Sequence, residues 1–185
     1  RELDEFIKTL RYRSTQQEID FARALESVDQ KKNFLYSFLA KRKSSPEQEV
    51  EALWAGHLAA LNYVNDQFKS SIRPGWQTDR GRVFLQYGIP NDVERFPAES
   101  YSVPYEIWRF NRLGAQSNVV FVFFDPDLAT SDYPLLHSNK YGELNQPRWR
   151  TMLQNNGRVP TEVDYENNDG RINEKLDLNS SSGGG

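Results

Sequence analysis

The stretch Gly75-Trp-Gln-Thr-Asp-Arg-Gly81 separates a helix-rich part of the chain from a strand-rich part. Its two glycines can adopt backbone angles that other residues avoid, and they therefore predict a compact turn between the two parts. We expect Trp76 to pack this turn onto the helices that precede it.

The polar side chains of the same stretch are suited to hold such a turn together. Thr78 and Asp79 can accept hydrogen bonds from backbone N–H groups, as these residue types do in turns. Arg80 can pair with a carboxylate such as Asp79 or Glu106, through two hydrogen bonds where the geometry allows. We interpret the stretch as a structural link between two layers, and a ligand site is the alternative interpretation.

The residues before this stretch carry apolar side chains at helical spacing, which predicts a layer of two or three helices over residues 1–73. A helix is expected from about Val28 to Lys43. The next helix has the strongest signals, because Ser45 is a favourable N-cap and Pro46 a favourable first helical residue. Its apolar residues at helical spacing are Val50, Leu53, Trp54, Leu58, Leu61, Val64 and Phe68.

The residues after the stretch predict strands. Arg82–Tyr87 alternates in a period of two, and Val119–Phe124 is a continuous apolar run typical of a central strand covered on both faces. Further strands are predicted at Tyr105–Phe110 and, at a sheet edge because of its proline, at Tyr133–Ser138. With a short closing helix at Gln146–Gln154, the prediction is an α+β fold: an N-terminal two- or three-helix layer followed by a small, mainly antiparallel sheet of about four strands.

Three segments are predicted along the chain. Residues 1–29 are predicted to be a helical lead-in, with membership of a preceding region as the alternative, and residues 30–153 are predicted to form the α+β domain. Residues 154–185 hold 3 basic and 6 acidic residues and end in Ser/Gly, so we expect them to be largely extended or disordered. Because the sequence begins with Arg1 rather than Met, we expect it to be part of a longer protein.

Composition excludes several classes of protein. The 185 residues include 23 Lys plus Arg and 26 Asp plus Glu, for a net charge of −3, which argues against a globally basic nucleic-acid binder. The chain has no Cys, so a disulfide, a thiolate metal site and a cysteine nucleophile are all excluded. No apolar run approaches 18 residues, and no membrane span is predicted.

Residue patterns for catalysis and metal binding are weak, so we expect no catalytic residue, metal or cofactor. The two histidines, His57 and His137, have no second ligand at a spacing typical of zinc sites, and His57 falls on the apolar side of a predicted helix. We interpret the carboxylates of the loop that follows Val119–Phe124 as solvated turn residues. Residues 164–170 resemble half of an EF-hand loop, but Tyr165 and Leu176 occupy positions that need Asp and Glu.

A carbohydrate-active site is the alternative that the sequence leaves open. It would use Asp79 and Glu106 as acid and base, with tryptophans as platforms for sugar rings. The carboxylates that flank predicted strands are Asp79, Glu106 and Asp125, and the platform candidates are Trp76, Trp108 and Trp149. If Arg80 is buried and pairs with these carboxylates, the structural interpretation is favoured instead.

Several ordered motifs resemble the GWxTD domain family. Gly75–Asp79, followed by Arg80–Val83, resembles the signature of the family. Flanking matches are Phe34–Arg42, Pro46 to Phe68, Tyr87–Glu94, Tyr105–Trp108, Phe121–Phe123, Tyr133–Ser138 and Gly142–Glu143. The resemblance covers roughly residues 30–150, with two departures: Arg42-Lys-Ser-Ser-Pro46 replaces an Arg-Asp-Pro-like stretch, and Ile89-Pro90 replaces Pro-Pro.

The resemblance implies an exported bacterial protein, mainly of Bacteroidota, with this domain in the C-terminal part of a longer chain. It implies no reaction, cofactor or catalytic residue. The expected function is therefore a non-enzymatic module of the cell envelope, in the periplasm, at the outer membrane or secreted. It would bind a partner protein or assemble in a larger complex, through aromatic patches or the sheet edge near Tyr133, with envelope glycans as the alternative ligand. The binding or structural motif consists of Gly75, Trp76, Thr78, Asp79, Arg80, Gly81, Glu106 and Trp108.

Overall fold

The computed structural model describes residues 2–100 and 102–155, and it confirms the predicted α+β class. Of the tail predicted at residues 154–185, residues 156–185 lie outside the described residues, and Gln154 belongs to the last helix. The helices are α1 (Glu2–Thr9), α2 (Gln16–Arg23), α3 (Val28–Ala40), α4 (Val50–Gln67), α5 (Asp79–Tyr87) and α6 (Trp149–Gln154). The strands are β1 (Asp92–Phe96), β2 (Tyr105–Leu113), β3 (Gln116–Phe124) and β4 (Leu135–Ser138).

The first three helices and the start of α4 share one apolar cluster. Capping boxes begin α2 at Thr15 and α3 at Ser27, where each cap side chain accepts a hydrogen bond from the backbone three residues later. The buried members of the cluster are Phe6, Leu10, Phe34, Leu35, Phe38, Leu39 and Val50. This burial stabilises a helix as short as α1, which would be marginal on its own, and α2 adds the partly buried Ala22 to the same cluster.

Helix α4 begins four residues later than predicted, at Val50 with Glu49 as its N-cap. The side-chain oxygen of Gln48 accepts a hydrogen bond from the Ser44 N–H at 2.7 Å. This contact holds residues 44–48 in a turn, so Ser45 does not cap the helix.

The strand predicted at Arg82–Tyr87 is wrong, because these residues belong to helix α5. Thr78 is the N-cap of α5, and its hydroxyl accepts a hydrogen bond from the Gly81 N–H at 3.1 Å. The helix contacts α4 through Phe84 and the sheet through Tyr87, and its Val83 and Leu85 are buried. A helix covered on more than one side carries apolar residues on more than one face, which produced the apparent period of two.

Strand β1 was not predicted. Gly88 ends α5 with a φ of +89°, a conformation that favours glycine, and β1 starts four residues later. The sequence of β1, Asp-Val-Glu-Arg-Phe, is short and charged, as is common for an edge strand. The described sheet therefore has four strands as expected, but the first of them follows α5 instead of replacing it.

The sheet is antiparallel throughout, in the order β1-β2-β3-β4. Strand β3 is an inner strand covered on both faces, and β4 is an edge strand, as the sequence predicted. Helices α4 and α5 pack on the face that carries Trp108 and Phe121, which are opposite each other on β2 and β3. Helix α6 packs on the other face, against Ile107 and Val122.

None of the described helices combines the length and the apolar character needed to cross a bilayer.

Candidate functional site

The glycines of the Gly75–Gly81 stretch lie where backbone segments touch. A β-carbon at Gly75 would overlap the Val64 carbonyl oxygen of α4, and one at Gly81 would overlap the Gly75 carbonyl oxygen. Neither glycine has a positive φ, so the predicted reason for their presence, unusual backbone angles, is wrong. Glycine is needed at both positions because there is no space for a side chain.

Trp76 packs onto the helical layer. Its side chain is buried. Its backbone N–H donates to Asn65 Oδ1 of α4 at 3.1 Å, and its backbone carbonyl accepts from the Tyr12 hydroxyl at 3.0 Å. The Arg11 guanidinium lies over the indole ring, 4.9 Å from its centroid. Trp76 thus joins the start of α5 to α4 and to the turn after α1.

Thr78 and Asp79 accept backbone N–H groups, as the residue types predict. Besides capping α5, Thr78 donates its hydroxyl hydrogen to the Gly75 carbonyl at 2.8 Å. Asp79 Oδ2 accepts a hydrogen bond from the Leu135 N–H at 2.7 Å. Because Leu135 begins β4, Asp79 attaches the edge strand to the N-terminus of α5, where the helix dipole also favours a carboxylate.

Arg80 forms a buried ion pair with Glu106 of β2. Its Nη1 donates to Glu106 Oε1 at 3.1 Å, and its Nη2 donates to the Ser131 carbonyl at 3.2 Å. The Tyr133 ring lies 4.1 Å from the guanidinium carbon. Burial lowers the pKa of Arg80, while Glu106 acts in the opposite direction. The side chain stays charged at physiological pH, because an arginine is not deprotonated in proteins.

Glu106 is also bound from the sheet side. Its Oε2 accepts from Trp108 Nε1 at 3.0 Å, and Arg95 Nε lies 3.4 Å from Oε1. Both Glu106 and Trp108 are buried. The carboxylate is thus enclosed by three donors.

The residues of the predicted carbohydrate site do not form one surface. Asp79 binds the Leu135 backbone, whereas Glu106 binds Arg80. The predicted tryptophan platforms lie on opposite faces of the sheet: Trp76 and Trp108 are buried beneath the helices, and Trp149 is buried with α6.

The loop between β3 and β4, residues 125–134, is held by further polar contacts. Arg73 pairs with Asp132, and this pairing lowers the pKa of the carboxyl. Asp125 and Asp132 are buried, so the interpretation of the carboxylates of this loop as solvated is wrong for these two. Burial raises the pKa of Asp125, and its Oδ1 has no hydrogen-bond partner among the described residues. Leu128, Ser131 and Tyr133 have φ values of +57°, +55° and +49°, a conformation uncommon outside glycine.

The two histidines have structural contacts. His57 Nε2 lies 2.8 Å from Thr9 Oγ1, and burial lowers the pKa of His57 to about 4, with Arg13 contributing. His137 Nδ1 accepts from the Gln146 N–H at 3.0 Å, and its ring stacks on Trp149. Among residues 2–100 and 102–155, no group of three or more His, Cys, Asp or Glu residues is arranged to hold a metal ion.

The family model of the GWxTD domain matches residues 1–153. The chain belongs to the GWxTD domain family. No curated protein and no solved structure matches it. Gly75, Trp76, Thr78 and Asp79, the residues that give this GWxTD domain its family name, all contact other parts of the fold.

The GWxTD domain also has an apolar groove that sequence reasoning missed. The groove runs along the outer side of α4 to the C-terminal end of α5, has a volume of about 820 Å³, and is here named the α4–α5 groove. The residues that line the groove include Ala52, Gly56, Ala60, Tyr63, Phe84 and Ile89. Tyr63 is 47% exposed and Ile89 is 78% exposed. The available signal was the spacing of four residues between the small residues Ala52, Gly56 and Ala60 of α4.

Proposed function

We propose that this GWxTD domain is a non-enzymatic protein-binding module of the bacterial cell envelope. It binds a partner protein in the α4–α5 groove, as part of a larger envelope or secreted assembly. The groove carries this proposal, because contiguous exposed apolar surface with polar surroundings is typical of sites that bind other molecules. The proposed location in the cell envelope rests on the resemblance of the sequence motifs to the GWxTD domain family, which implies exported bacterial proteins.

The contacts of the Gly75–Gly81 stretch support a structural role for the family motif. Its glycines lie against backbone, and Thr78 and Asp79 are hydrogen-bonded to backbone groups of the fold. The two terminal nitrogens of Arg80 donate to Glu106 and to the Ser131 carbonyl, whereas its buried Nε has no hydrogen-bond partner among the described residues. A ligand at Glu106 would have to replace Arg80 as the partner of a buried carboxylate. Breaking a buried ion pair lowers the stability of a protein by about 3–5 kcal/mol. The binding surface is therefore proposed elsewhere.

The sheet edge near Tyr133 is not part of the proposal. The Leu135 N–H of β4 is bonded to Asp79, and the Ser138 N–H is bonded to the Leu144 carbonyl at 2.8 Å. An added strand needs free backbone groups along the edge, and these two N–H groups already have partners.

Carbohydrate chemistry receives no support from the contacts. The acid and base that it requires, Asp79 and Glu106, have separate structural partners, and the aromatic platforms are buried. A non-enzymatic role needs none of these groups to reach solvent.

Site-specific photo-crosslinking in cells of the source organism tests the proposal. A benzophenone amino acid replaces Tyr63, which lines the groove, and in a matched strain it replaces Tyr36, which is 59% exposed on α3 outside the groove. We expect one adduct of defined mass from position 63 and none of that mass from position 36. The adduct should fractionate with the envelope, and an adduct found in the cytoplasm would contradict the proposed location.

Two neighbouring residues of α4 provide the specificity control. Gly56 lines the groove, and a β-carbon at this position would meet no atom within 4 Å. Ala55 is also exposed, but it lies about 100° away around the helix axis. Gly56→Arg should abolish the adduct, and Ala55→Arg should leave it unchanged. An adduct that survives Gly56→Arg, or that maps to another part of the same chain, would overturn the proposal.

A further inference from the structure

Small side chains form one wall of the α4–α5 groove, so the backbone of another helix can approach this wall closely. Ala52, Gly56 and Ala60 recur every four residues and therefore form a row along one side of α4. A β-carbon at Gly56 would meet no atom within 4 Å, so the space above the row is open. Rows of small side chains allow the backbones of two helices to approach closely.

Larger apolar side chains border this row. Tyr63 stacks on Phe84 with ring centroids 4.9 Å apart, which fixes the contact between α4 and α5. Ile89 follows the C-terminus of α5 and is exposed at the same groove. An amphipathic helix binds such a groove through apolar residues at positions i, i+3, i+4 and i+7.

The groove carries one unpaired charge. Arg13 lines it, and the Arg13 guanidinium forms no ion pair with any described residue. No Asp or Glu is among the described lining residues. Among the described lining residues, His57 is the other side chain that can gain a positive charge, and it is neutral at pH 7, because burial lowers its pKa to about 4.

We propose that the occupant of the α4–α5 groove is an amphipathic α-helix of the partner protein. It lays its apolar face on the row formed by Ala52, Gly56 and Ala60 and places one Asp or Glu beside Arg13. This inference rests on the proposed function, since it specifies the partner of the same groove. The carboxylate sets the register of the helix, because charge complementarity across an interface disfavours other alignments.

A display library of helical peptides tests the inference. The library has an Ala/Lys/Glu framework of about five turns, long enough for appreciable helicity, with the positions of one face randomised. It is selected on the whole chain and counter-selected on the chain with Gly56→Arg; Ala55→Arg is the control that should retain binding. We expect enriched peptides to carry apolar residues at helical spacing and one acidic residue at a constant position.

Charge reversal then tests the contact with Arg13. Arg13→Glu should weaken the enriched peptides by about three- to tenfold, in line with the strength of a solvent-accessible ion pair that becomes a repulsion. Replacing the constant acidic residue of the peptide by Lys should restore binding to this variant. Enriched peptides without the acidic residue, or binding unaffected by the reversal, would overturn the proposed contact.

The outcomes separate this inference from the proposed function. If Gly56→Arg abolishes the cellular adduct at position 63 but no helical peptide is enriched, the helix is wrong and the protein-binding groove stands. If the adduct also fails to depend on Gly56, both proposals are wrong. Enrichment of peptides with strand-like alternation would overturn the helical occupant directly.

Discussion

At the scale of single residues, Gly75 and Gly81 hold the first turn of α5 against α4 without any side chain. Each lies in contact with a backbone carbonyl, and a methyl group at either position would overlap it. The sequence predicted that these glycines matter, but it assigned the wrong reason. Contact between backbone segments that are distant in sequence cannot be derived from a local pattern.

We predict opposite effects of alanine at two helical glycines. Gly81→Ala should lower the free energy of unfolding by about 3 kcal/mol or more, because the new methyl group overlaps the Gly75 carbonyl, so the start of α5 and the turn at Gly75–Gln77 must move apart. Gly56→Ala should raise it by up to about 1 kcal/mol, because the site is open and alanine favours a helix. Urea unfolding measures both, and equal effects would contradict the packing argument.

A second residue-scale prediction concerns pH. Burial lowers the pKa of His57 from 6.5 to about 4, so the unfolded chain takes up a proton at a pH where the folded chain does not. Stability that is present above pH 6.5 is therefore lost as the pH falls toward 4, by about 2–3 kcal/mol from this group. Between pH 7 and pH 4, urea unfolding should show a loss of stability that is larger in the wild type than in His57→Gln by this amount, because the other titrating groups act equally in both. A loss of the same size in His57→Gln would contradict the assignment to His57.

At the scale of elements, helix α5 shows where sequence reasoning failed and why. Arg82–Tyr87 alternates as a strand would, but the N-cap at Thr78 and the first-turn carboxylate of Asp79 are helix start signals. These signals were interpreted as turn contacts, because the helix that they begin is covered by both α4 and the sheet. Strand β1 was missed because its sequence is short and charged. It shows no alternation of apolar and polar residues by which a strand is recognised.

The attachment of β4 to α5 gives the prediction for this scale. Asp79→Ala should destabilise the fold by about 1–3 kcal/mol, because the Leu135 N–H loses its acceptor in a partly buried position. Hydrogen exchange at Leu135 should accelerate more than exchange in the inner strand β3. Uniform acceleration across the sheet would mean that Asp79 supports the whole fold rather than this edge. Unchanged exchange at Leu135 would contradict the contact.

At the scale of the whole molecule, the sheet and the helical layer are joined by the Arg80–Glu106 ion pair and by the apolar cluster around it.

The sequence could predict every feature that depends on the composition of a single segment. These features are the class of the fold, the central strand, the edge strand β4 and the closing helix. The pairing of Arg80 with Glu106 was one of two alternatives. The α4–α5 groove could not be predicted, since a surface shared by two elements appears only when their packing is known.

A double-mutant cycle tests the ion pair between Arg80 and Glu106. Either Arg80→Met or Glu106→Gln alone should cost about 3–5 kcal/mol, because it leaves a buried group without its partner. The double variant should cost clearly less than the sum of the two, as expected for groups in direct contact. Additive losses, measured by urea unfolding, would show that the two side chains stabilise the fold independently.

We propose that the family motif maintains the fold while the α4–α5 groove binds the partner. The most direct test is the yield of the Tyr63 adduct in the Asp79→Ala variant, measured at a temperature where circular dichroism shows it to be folded. We predict a wild-type yield together with a lowered melting temperature. A variant that melts like the wild type but has lost the adduct would contradict the claim and place the binding site at the motif.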